Sequence, residues 1–271
     1  MNRVSRRHAA SVMVVFALVA AACGSSSKSS GSSPSSSSTP TTTGKLSGSL
    51  NVFAAASLKE AFTDEKKALA SSNSGLSLTY NFAGSQALVT QITSGAPADV
   101  FASADQKNMK KLVDAGLVEA PKTFARNTLE IAVAPGNPKH ITGLADLEKS
   151  GVVLVLEDAS VPAGDYARQA FTKAGLPAPK PASNELDVKS TLAKLTSGEA
   201  DAVIVYVTDV KAAGNKVVGV TIPDSQNVIA TYPIAAVKAS KNLAAAEAFV
   251  DEIVSGSGQQ ALRARGFLSA S

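Results

Sequence analysis

The amino-acid sequence predicts an α/β fold with mostly parallel sheets, and three observations lead to this class. Short apolar runs rich in β-forming residues alternate along the chain with segments of helical periodicity. Several of the helical segments are followed by a glycine, at Gly95, Gly116, Gly175 and Gly198. Residues 45–271 are enough for one large domain or two lobes with a sizeable core. Because a helix between two strands carries the chain back across the sheet, the alternation favours parallel pairing.

The first 22 residues have the features of a secretory signal peptide. Three arginines precede an apolar run over residues 9–22, which is too short to span a bilayer comfortably. Small residues then lead directly into Cys23, the only cysteine. This arrangement resembles the lipobox of bacterial lipoproteins, whose cysteine is lipidated and becomes the new N-terminus, although Ala20 stands where leucine is usual. An ordinary signal peptide cut nearby, with Cys23 left as a free thiol, is the alternative.

Residues 23–44 predict the lipidated Cys23 followed by a disordered tether. Of the 21 residues from 24 to 44, 11 are Ser and 4 are Thr, so the segment lacks the apolar side chains that a core requires. As a flexible coil it spans roughly 25 Å from end to end. We therefore expect an exported protein held by lipid alone at the outer face of the cell membrane.

The predicted strands and helices fill the rest of the chain in alternation. The strands are predicted over residues 50–54, 76–82, 100–102, 129–134, 152–156, 202–207, 217–222 and 232–238. The helices are predicted over residues 58–70, 86–94, 106–115, 165–174, 188–196, 242–255 and 258–265. Two segments of the chain have similar sequences, TSGAPADVF at 93–101 and TSGEADAVI at 196–204, and each has the pattern of a helix end, a loop and a strand. Two lobes with the same order of elements would produce this similarity, as would chance reuse of one loop.

The charge of the chain, its few histidines and the motifs that it lacks argue against several classes of function. The formal charge of +4 comes mainly from the leader, since residues 23–271 hold 23 basic and 22 acidic side chains, which argues against nucleic-acid binding. The two histidines lie in the leader and in a Pro/Gly-rich loop, so neither a Ser–His pair nor a histidine metal site is expected. Nucleotide-binding glycine motifs are missing as well. We therefore expect no enzyme; a lipid-anchored serine hydrolase using Ser57 and Lys59 is the enzymatic alternative.

Small polar residues at strand-to-helix junctions point to an anion site. Ser57 lies in VFAAASLKEAF and Ser85 in YNFAGSQALVTQI, while further helices begin at VPAGDYA and near LDVKS. Each helix start offers unpaired N–H groups and a partial positive charge at the carboxyl end of a strand, where ligands bind in parallel sheets. Tyr206 closes an apolar strand in the same way, so its hydroxyl could point into the site.

Each of these residues also has an ordinary structural explanation. Ser57 and Glu60 have the spacing of a capping box, Ser85 could be a lone N-cap, and Asp187 is typical of an N-cap. Tyr206 could be a strand aromatic at the rim of the sheet. Their combination in one exported, tethered body favours a receptor for a small anion.

These motifs resemble the molybdate-binding proteins of bacterial ABC importers, a branch of the type II periplasmic binding proteins. The resemblance spans residues 48–267 and is carried by VFAAASLKEAF, FAGSQALVTQI, GAPADVFASAD, VPAGDYA, GEADAVIVYVTD and RGF. It implies two α/β lobes, each a mostly parallel sheet flanked by helices, with the ligand in the cleft between them. The first lobe is expected over residues 45–127 and 232–271, and the second over residues 128–231.

The resemblance also implies which residues hold the ligand. The family's molybdate-binding positions fall on Ser57, Ser85, Ala163, Val188 and Tyr206. The serines would offer hydroxyl and backbone donors, Ala163 and Val188 backbone N–H groups, and Tyr206 its hydroxyl. Gly84 departs from those members that have a further Ser at this position, which leaves Ser85 as the only hydroxyl of its loop.

The function implied is capture of molybdate, and of the similar tungstate, for delivery to an ABC permease and its ATPase. No cofactor and no free metal cation are expected, and a monomer is expected by analogy. A pocket of donors suits a dianion whose oxygens only accept, and it would leave the proton of hydrogen phosphate unsatisfied.

Other ligands and roles remain open from the sequence. Sulfate is the close alternative, because its exclusion depends on cavity size. Iron held by tyrosines is disfavoured, since the four tyrosines include no adjacent pair. A purely structural surface lipoprotein is the remaining alternative.

Overall fold

The computed structural model describes residues 46–270, in which strands and helices alternate as predicted. The strands are β1 (Gly48–Ala55), β2 (Leu76–Ala83), β3 (Val100–Ala102), β4 (Lys122–Val133), β5 (Leu154–Glu157), β6 (Ser183–Glu185), β7 (Ala202–Tyr206), β8 (Val218–Thr221) and β9 (Ile229–Ala236). The helices are α1 (Lys59–Ser72), α2 (Ser85–Thr93), α3 (Gln106–Asp114), α4 (Pro162–Lys173), α5 (Val188–Thr196), α6 (Val207–Ala213), α7 (Leu243–Ser255) and α8 (Gly258–Arg265). Short 3₁₀ helices span Ala56–Leu58, Leu144–Glu148 and Gly214–Lys216.

The predicted signal peptide, Cys23 and the tether lie outside the described residues. Within residues 46–270, none of the helices combines the length and the apolar character that crossing a membrane requires.

Most predicted elements agree with the structure to within a few residues, and the larger differences have local causes. β4 begins at Lys122, seven residues before the predicted start, because its polar first half is held by pairing with β9. α4 begins at Pro162 rather than Asp165, since proline is well tolerated in the first helical turn. β6 was not predicted because it is a polar strand of three residues. α6 was not predicted either, because its β-branched start continues the apolar run of β7.

The strands form two parallel triplets joined by two long antiparallel strands. The sheet runs in the order β2-β1-β3-β9-β4-β7-β5-β6, with β8 paired to β4 beside this path. β1 pairs in parallel with β2 and β3, and β5 pairs in parallel with β6 and β7. The predicted mostly parallel character therefore holds within each triplet, and the antiparallel pairs all involve β4 or β9.

β4 and β9 connect the two triplets. The first half of β4, up to Thr128, pairs with β9, whereas residues from Leu129 onward pair with β7 and β8. β9 in turn continues from β4 to β3 of the first triplet. The chain thus crosses from one triplet to the other in β4 and returns in β9.

Candidate functional site

One pocket contains all five residues implied as ligands by the sequence, namely Ser57, Ser85, Ala163, Val188 and Tyr206. Its empty volume, including the space that is open to solvent, is about 220 Å³. The remaining lining residues are Ala55, Ala56, Ala83, Gly84, Ala104, Val161, Pro162 and Asp187. The described residues that line it include neither Lys, Arg nor His, so any anion bound here would be held by hydroxyl and backbone N–H donors.

The topology explains why these residues meet. Each of the six parallel strands contributes residues that follow its carboxyl end: the first triplet provides residues near 55–57, 83–85 and 104, and the second provides residues near 161–163, 187–188 and 206. The carboxyl ends of parallel strands share one edge of a sheet, and the helix starts that follow them bring their N–H groups to that edge.

Ser57 does not form the capping box that its spacing suggested. It lies inside the 3₁₀ helix after β1, and neither this helix nor α1 has a side-chain cap. Its Oγ lies 3.0 Å from the phenol oxygen of Tyr232, while Glu60 bonds to Lys189 instead. When Tyr232 donates in this bond, the Ser57 hydroxyl proton is free to bind an acceptor in the pocket.

Ser85 is also placed to donate its hydroxyl proton to a ligand. It is the first residue of α2 and is fully buried, and its Oγ accepts the Ala104 N–H at 3.0 Å. The hydroxyl proton therefore remains available to a ligand. α2 has no side-chain cap, so the N–H groups of Ser85 and Gln86 lack a partner among the described residues, whereas the Ala87 N–H donates to the Gly84 carbonyl at 3.0 Å.

The starts of α4 and α5 each present a backbone donor. Pro162 opens α4 and has no N–H, so Ala163 carries the first free N–H of an uncapped helix. Asp187 is the predicted N-cap of α5 and accepts from the N–H groups of Lys189 at 2.8 Å and Ser190 at 3.0 Å. This cap leaves the N–H of Val188, the first helical residue, for the pocket.

Tyr206 presents a hydroxyl that finds no hydrogen-bond partner among the described residues. The residue ends β7 and is 1% exposed, with its ring edge-on to Tyr232 at 5.8 Å between centroids. Burial raises the pKa of Tyr206 well above its ordinary value, so the phenol stays protonated and its O–H can donate to an acceptor in the pocket. A buried hydroxyl without a partner costs free energy, which a bound anion would recover.

Comparison with known proteins assigns the chain to a family. The model of the bacterial extracellular solute-binding proteins matches residues 50–268. The chain belongs to this family. Its curated relatives are solute-binding proteins and not enzymes, which agrees with the prediction of a non-enzyme.

Molybdate-binding proteins are among the similar members of the family. The molybdate-binding protein ModA of Mycobacterium tuberculosis is 41% identical over 220 residues, which cover 81% of this chain and 84% of that protein. The solved periplasmic molybdate-binding protein of Azotobacter vinelandii has a TM-score of 0.70 at 20% identity, covering 81% and 98% of the two chains. The sulfate-binding protein SubI of M. tuberculosis has a TM-score of 0.74 at 20% identity, covering 82% and 87%. These structures establish the type II periplasmic-binding-protein fold.

The geometry of this solute-binding protein does not support the hydrolase alternative. The hydroxyl of Ser57 is bonded to Tyr232, and Lys59 is exposed to solvent rather than directed at the serine by any hydrogen bond of the described residues. Residues 46–270 also contain no group of three His, Cys, Asp or Glu side chains arranged to hold a metal ion.

Two contacts at the pocket could not be predicted from the sequence. Tyr232 supports Ser57 from 175 residues away, and no local pattern signals such a contact. At Gly84, a Cβ atom would collide with the carbonyl oxygen of Leu186, which also accepts a bond from Gln86 Nε2 at 3.0 Å. The missing serine of this loop was visible as a departure from the family, and the structure gives the reason: glycine lets the starts of α2 and α5 approach.

Proposed function

We propose that this solute-binding protein captures molybdate outside the cytoplasm and delivers it to an ABC permease. The observation that carries the proposal is the convergence of hydroxyl and uncapped backbone N–H donors on one pocket at the carboxyl ends of six parallel strands. The names of its curated relatives support the choice of molybdate among oxyanions.

In the proposed complex, the anion oxygens accept from Ser57 and Ser85, from the N–H groups of Ala163 and Val188, and from the Tyr206 hydroxyl. A tetrahedral dianion offers only acceptors, so a pocket of donors satisfies it without a cation. Hydrogen bonds to charged groups contribute about 1.5–3 kcal/mol each, and several together offset the cost of dehydrating the anion.

The ligands and the anchor are proposed together with this function. Tungstate has nearly the same size and charge as molybdate and binds in the same way, whereas hydrogen phosphate brings a proton that finds no acceptor. Residues 45–127 and 232–271 form one lobe and residues 128–231 the other, with Cys23 lipidated at the membrane. The protein works as a monomer with its permease and ATPase as partners.

Thermal unfolding of the purified protein with four separate anions tests the proposal. Molybdate and tungstate should raise the unfolding midpoint, because a ligand at a hundredfold excess over its Kd adds about 2.7 kcal/mol of stability. Sulfate and phosphate at equal ionic strength should leave it unchanged. Equal shifts with sulfate would retain an oxyanion receptor and reject the molybdate assignment, and no shift with any anion would reject the proposal.

A further inference from the structure

Glu157, the last residue of β5, is a buried acid that the proposed ligand set does not use. It is 0% exposed, and neither carboxyl oxygen has a hydrogen-bond partner of ordinary geometry among residues 46–270, although the Thr191 hydroxyl and the N–H of Glu157 itself lie near enough to lower its pKa somewhat. A buried carboxylate normally has donors or a cation beside it. Glu157 therefore requires an explanation beyond packing.

Three elements that form the pocket surround Glu157. The end of β5 packs against the first turn of α4, where a Cβ on Gly164 would collide with the carbonyl oxygens of Glu157 and Asp158. β5 also packs against α5, whose first residue Val188 lines the pocket, and it pairs with β7, which ends at Tyr206. Glu157 thus lies behind the side of the pocket that offers the donors of α4, α5 and β7.

The cations near Glu157 are engaged elsewhere. Lys189 Nζ bonds to Glu60 at 2.7 Å and to Asp209 at 2.9 Å. Arg168 donates to the main-chain carbonyls of Glu157 and Gly164 and to the side chain of Asn184. The charged or titratable groups on the surrounding elements are Asp158 beside it, Asp165, Tyr166 and Arg168 on α4, Glu185 on β6, Asp187, Lys189 and Lys194 at α5, and Tyr206 and Asp209 at the end of β7 and in α6. Five of these ten groups are carboxylates and three are cations, so an ionised Glu157 would meet a further net negative charge.

We propose that Glu157 determines affinity as a neutral carboxylic acid, so that anion capture by this pocket is coupled to a proton on Glu157. The inference rests on the proposed function and deepens it. A dianion beside a buried carboxylate is repelled strongly, because the protein interior screens charge poorly. Binding therefore selects the protonated form, and by linkage it draws a proton onto any Glu157 that is ionised.

The pH range follows from the burial of this group. Burial, reinforced by the carboxylates of Asp209 and Asp187, raises the pKa of Glu157 to about 8. Below that pH the acid is neutral and affinity is independent of pH. Above it, affinity falls by up to about tenfold for each pH unit. Molybdate itself carries no proton in this range, so the dependence belongs to the protein.

Calorimetric titration of the purified protein with sodium molybdate tests the coupling. Heats measured in two buffers of different ionisation enthalpy give the number of protons taken up. Wild type should take up about half a proton per molybdate near pH 8 and almost none near pH 6. Glu157→Gln should bind molybdate at both pH values and take up none. Glu130→Gln, which removes another acid whose pKa is raised by burial but whose carboxyl lies against Gly219 of β8, should behave as wild type.

The outcomes separate the two proposals. Absence of any molybdate binding would reject the proposed function. Binding without proton uptake in wild type, or proton uptake that persists in Glu157→Gln, would overturn the role of Glu157 and leave the proposed function standing. Burial also raises the pKa of Asp105 and Asp209, so these two acids would be the next candidates for the group that takes up the proton. If Glu157→Gln does not fold, infrared difference spectra of the wild-type protein replace it. Molybdate added near pH 8 should produce the absorption band of a protonated carboxylic acid. Absence of this band would overturn the coupling.

Discussion

Tyr206 allows a residue-scale test of the pocket, because its buried hydroxyl has no partner among the described residues. Tyr206→Phe should weaken molybdate binding roughly ten- to hundredfold, the value of one hydrogen bond to a charged acceptor. The free energy of unfolding without ligand should not fall, since the substitution removes an unsatisfied polar group and keeps the ring. Calorimetry and thermal unfolding measure the two quantities on the same sample.

Tyr80 provides the matched control for this substitution. Its hydroxyl is likewise buried without a partner, but Tyr80 lies in β2 and does not line the pocket. Tyr80→Phe should leave molybdate affinity unchanged. Equal losses in the two variants, or no loss in Tyr206→Phe, would contradict the role of Tyr206 as a ligand.

At the same scale, the sequence predicted which residues converge but not how each is supported. Ser85 and Tyr206 carry the chemistry of a helix start and a strand end, and that chemistry is local. The spacing of Ser57 and Glu60 suggested a capping box, which does not form because Tyr232 and Lys189 bind these two side chains. Such partners come from distant elements and leave no local pattern.

Gly84 gives a prediction for the contact between the starts of α2 and α5. Its backbone conformation is one that any residue adopts, but a Cβ would collide with the main-chain oxygen of Leu186. Gly84→Ala should therefore weaken molybdate binding by holding the two helix starts apart. Gly143→Ala is the control, because a Cβ at Gly143 meets no atom within 4 Å. Unchanged affinity in Gly84→Ala would show that this contact is not needed for binding.

The ion pair between α1 and α5 gives a second prediction at the scale of elements. Lys189 follows Val188, a proposed donor, and reaches Glu60 on α1, and both side chains are about a third exposed or less. Glu60→Gln should speed molybdate dissociation a few-fold, since a partly exposed pair contributes up to about 1 kcal/mol. The Lys189–Asp209 pair remains in this variant, so the buried Asp209 keeps its cation.

The matched control is Glu199→Gln, which removes the exposed pair with Lys194 at the other end of α5. It should leave the dissociation rate unchanged. Stopped-flow measurements on both variants separate dissociation from association. A molybdate dissociation rate in Glu60→Gln equal to that of wild type would contradict the idea that the Lys189–Glu60 pair helps to hold α1 and α5 together around the ligand.

The bounds of a strand or helix could be predicted from the sequence where its own residues carry a strong apolar pattern and clear end signals. The strand Val100–Ala102 and the helices Val188–Thr196 and Gly258–Arg265 have the predicted bounds, because apolar runs and end signals delimit them. The polar half of β4 and the short β6 depend on pairing with other strands, so the sequence around them carries no signal.

For the whole molecule, the sequence similarity between residues 93–101 and 196–204 corresponds to an arrangement of strands that occurs in both triplets. The two TSG segments lead into β3 and β7, which hold the same place in the two parallel triplets, next to β1 and β5. Each of these strands is then flanked by a long antiparallel strand, β9 or β4. The order of the whole sheet could not be predicted, because it depends on pairing between β4 and β9, which lie about a hundred residues apart.

The position of β4 and β9 leads to a prediction of closure. Both strands pass between the triplets, and β4 changes partners between Thr128 and Leu129, so a rotation there would move one proposed lobe against the other. The proposed ligands come from both triplets, so an anion could contact all of these donors only when the triplets are close together. Small-angle X-ray scattering should therefore show a smaller radius of gyration with saturating molybdate than with chloride at equal ionic strength. A profile that molybdate leaves unchanged, in a sample whose unfolding midpoint it raises, would mean that the pocket is already closed in the free protein. Binding would then depend on local opening near Gly84 and Leu186 rather than on movement of whole lobes.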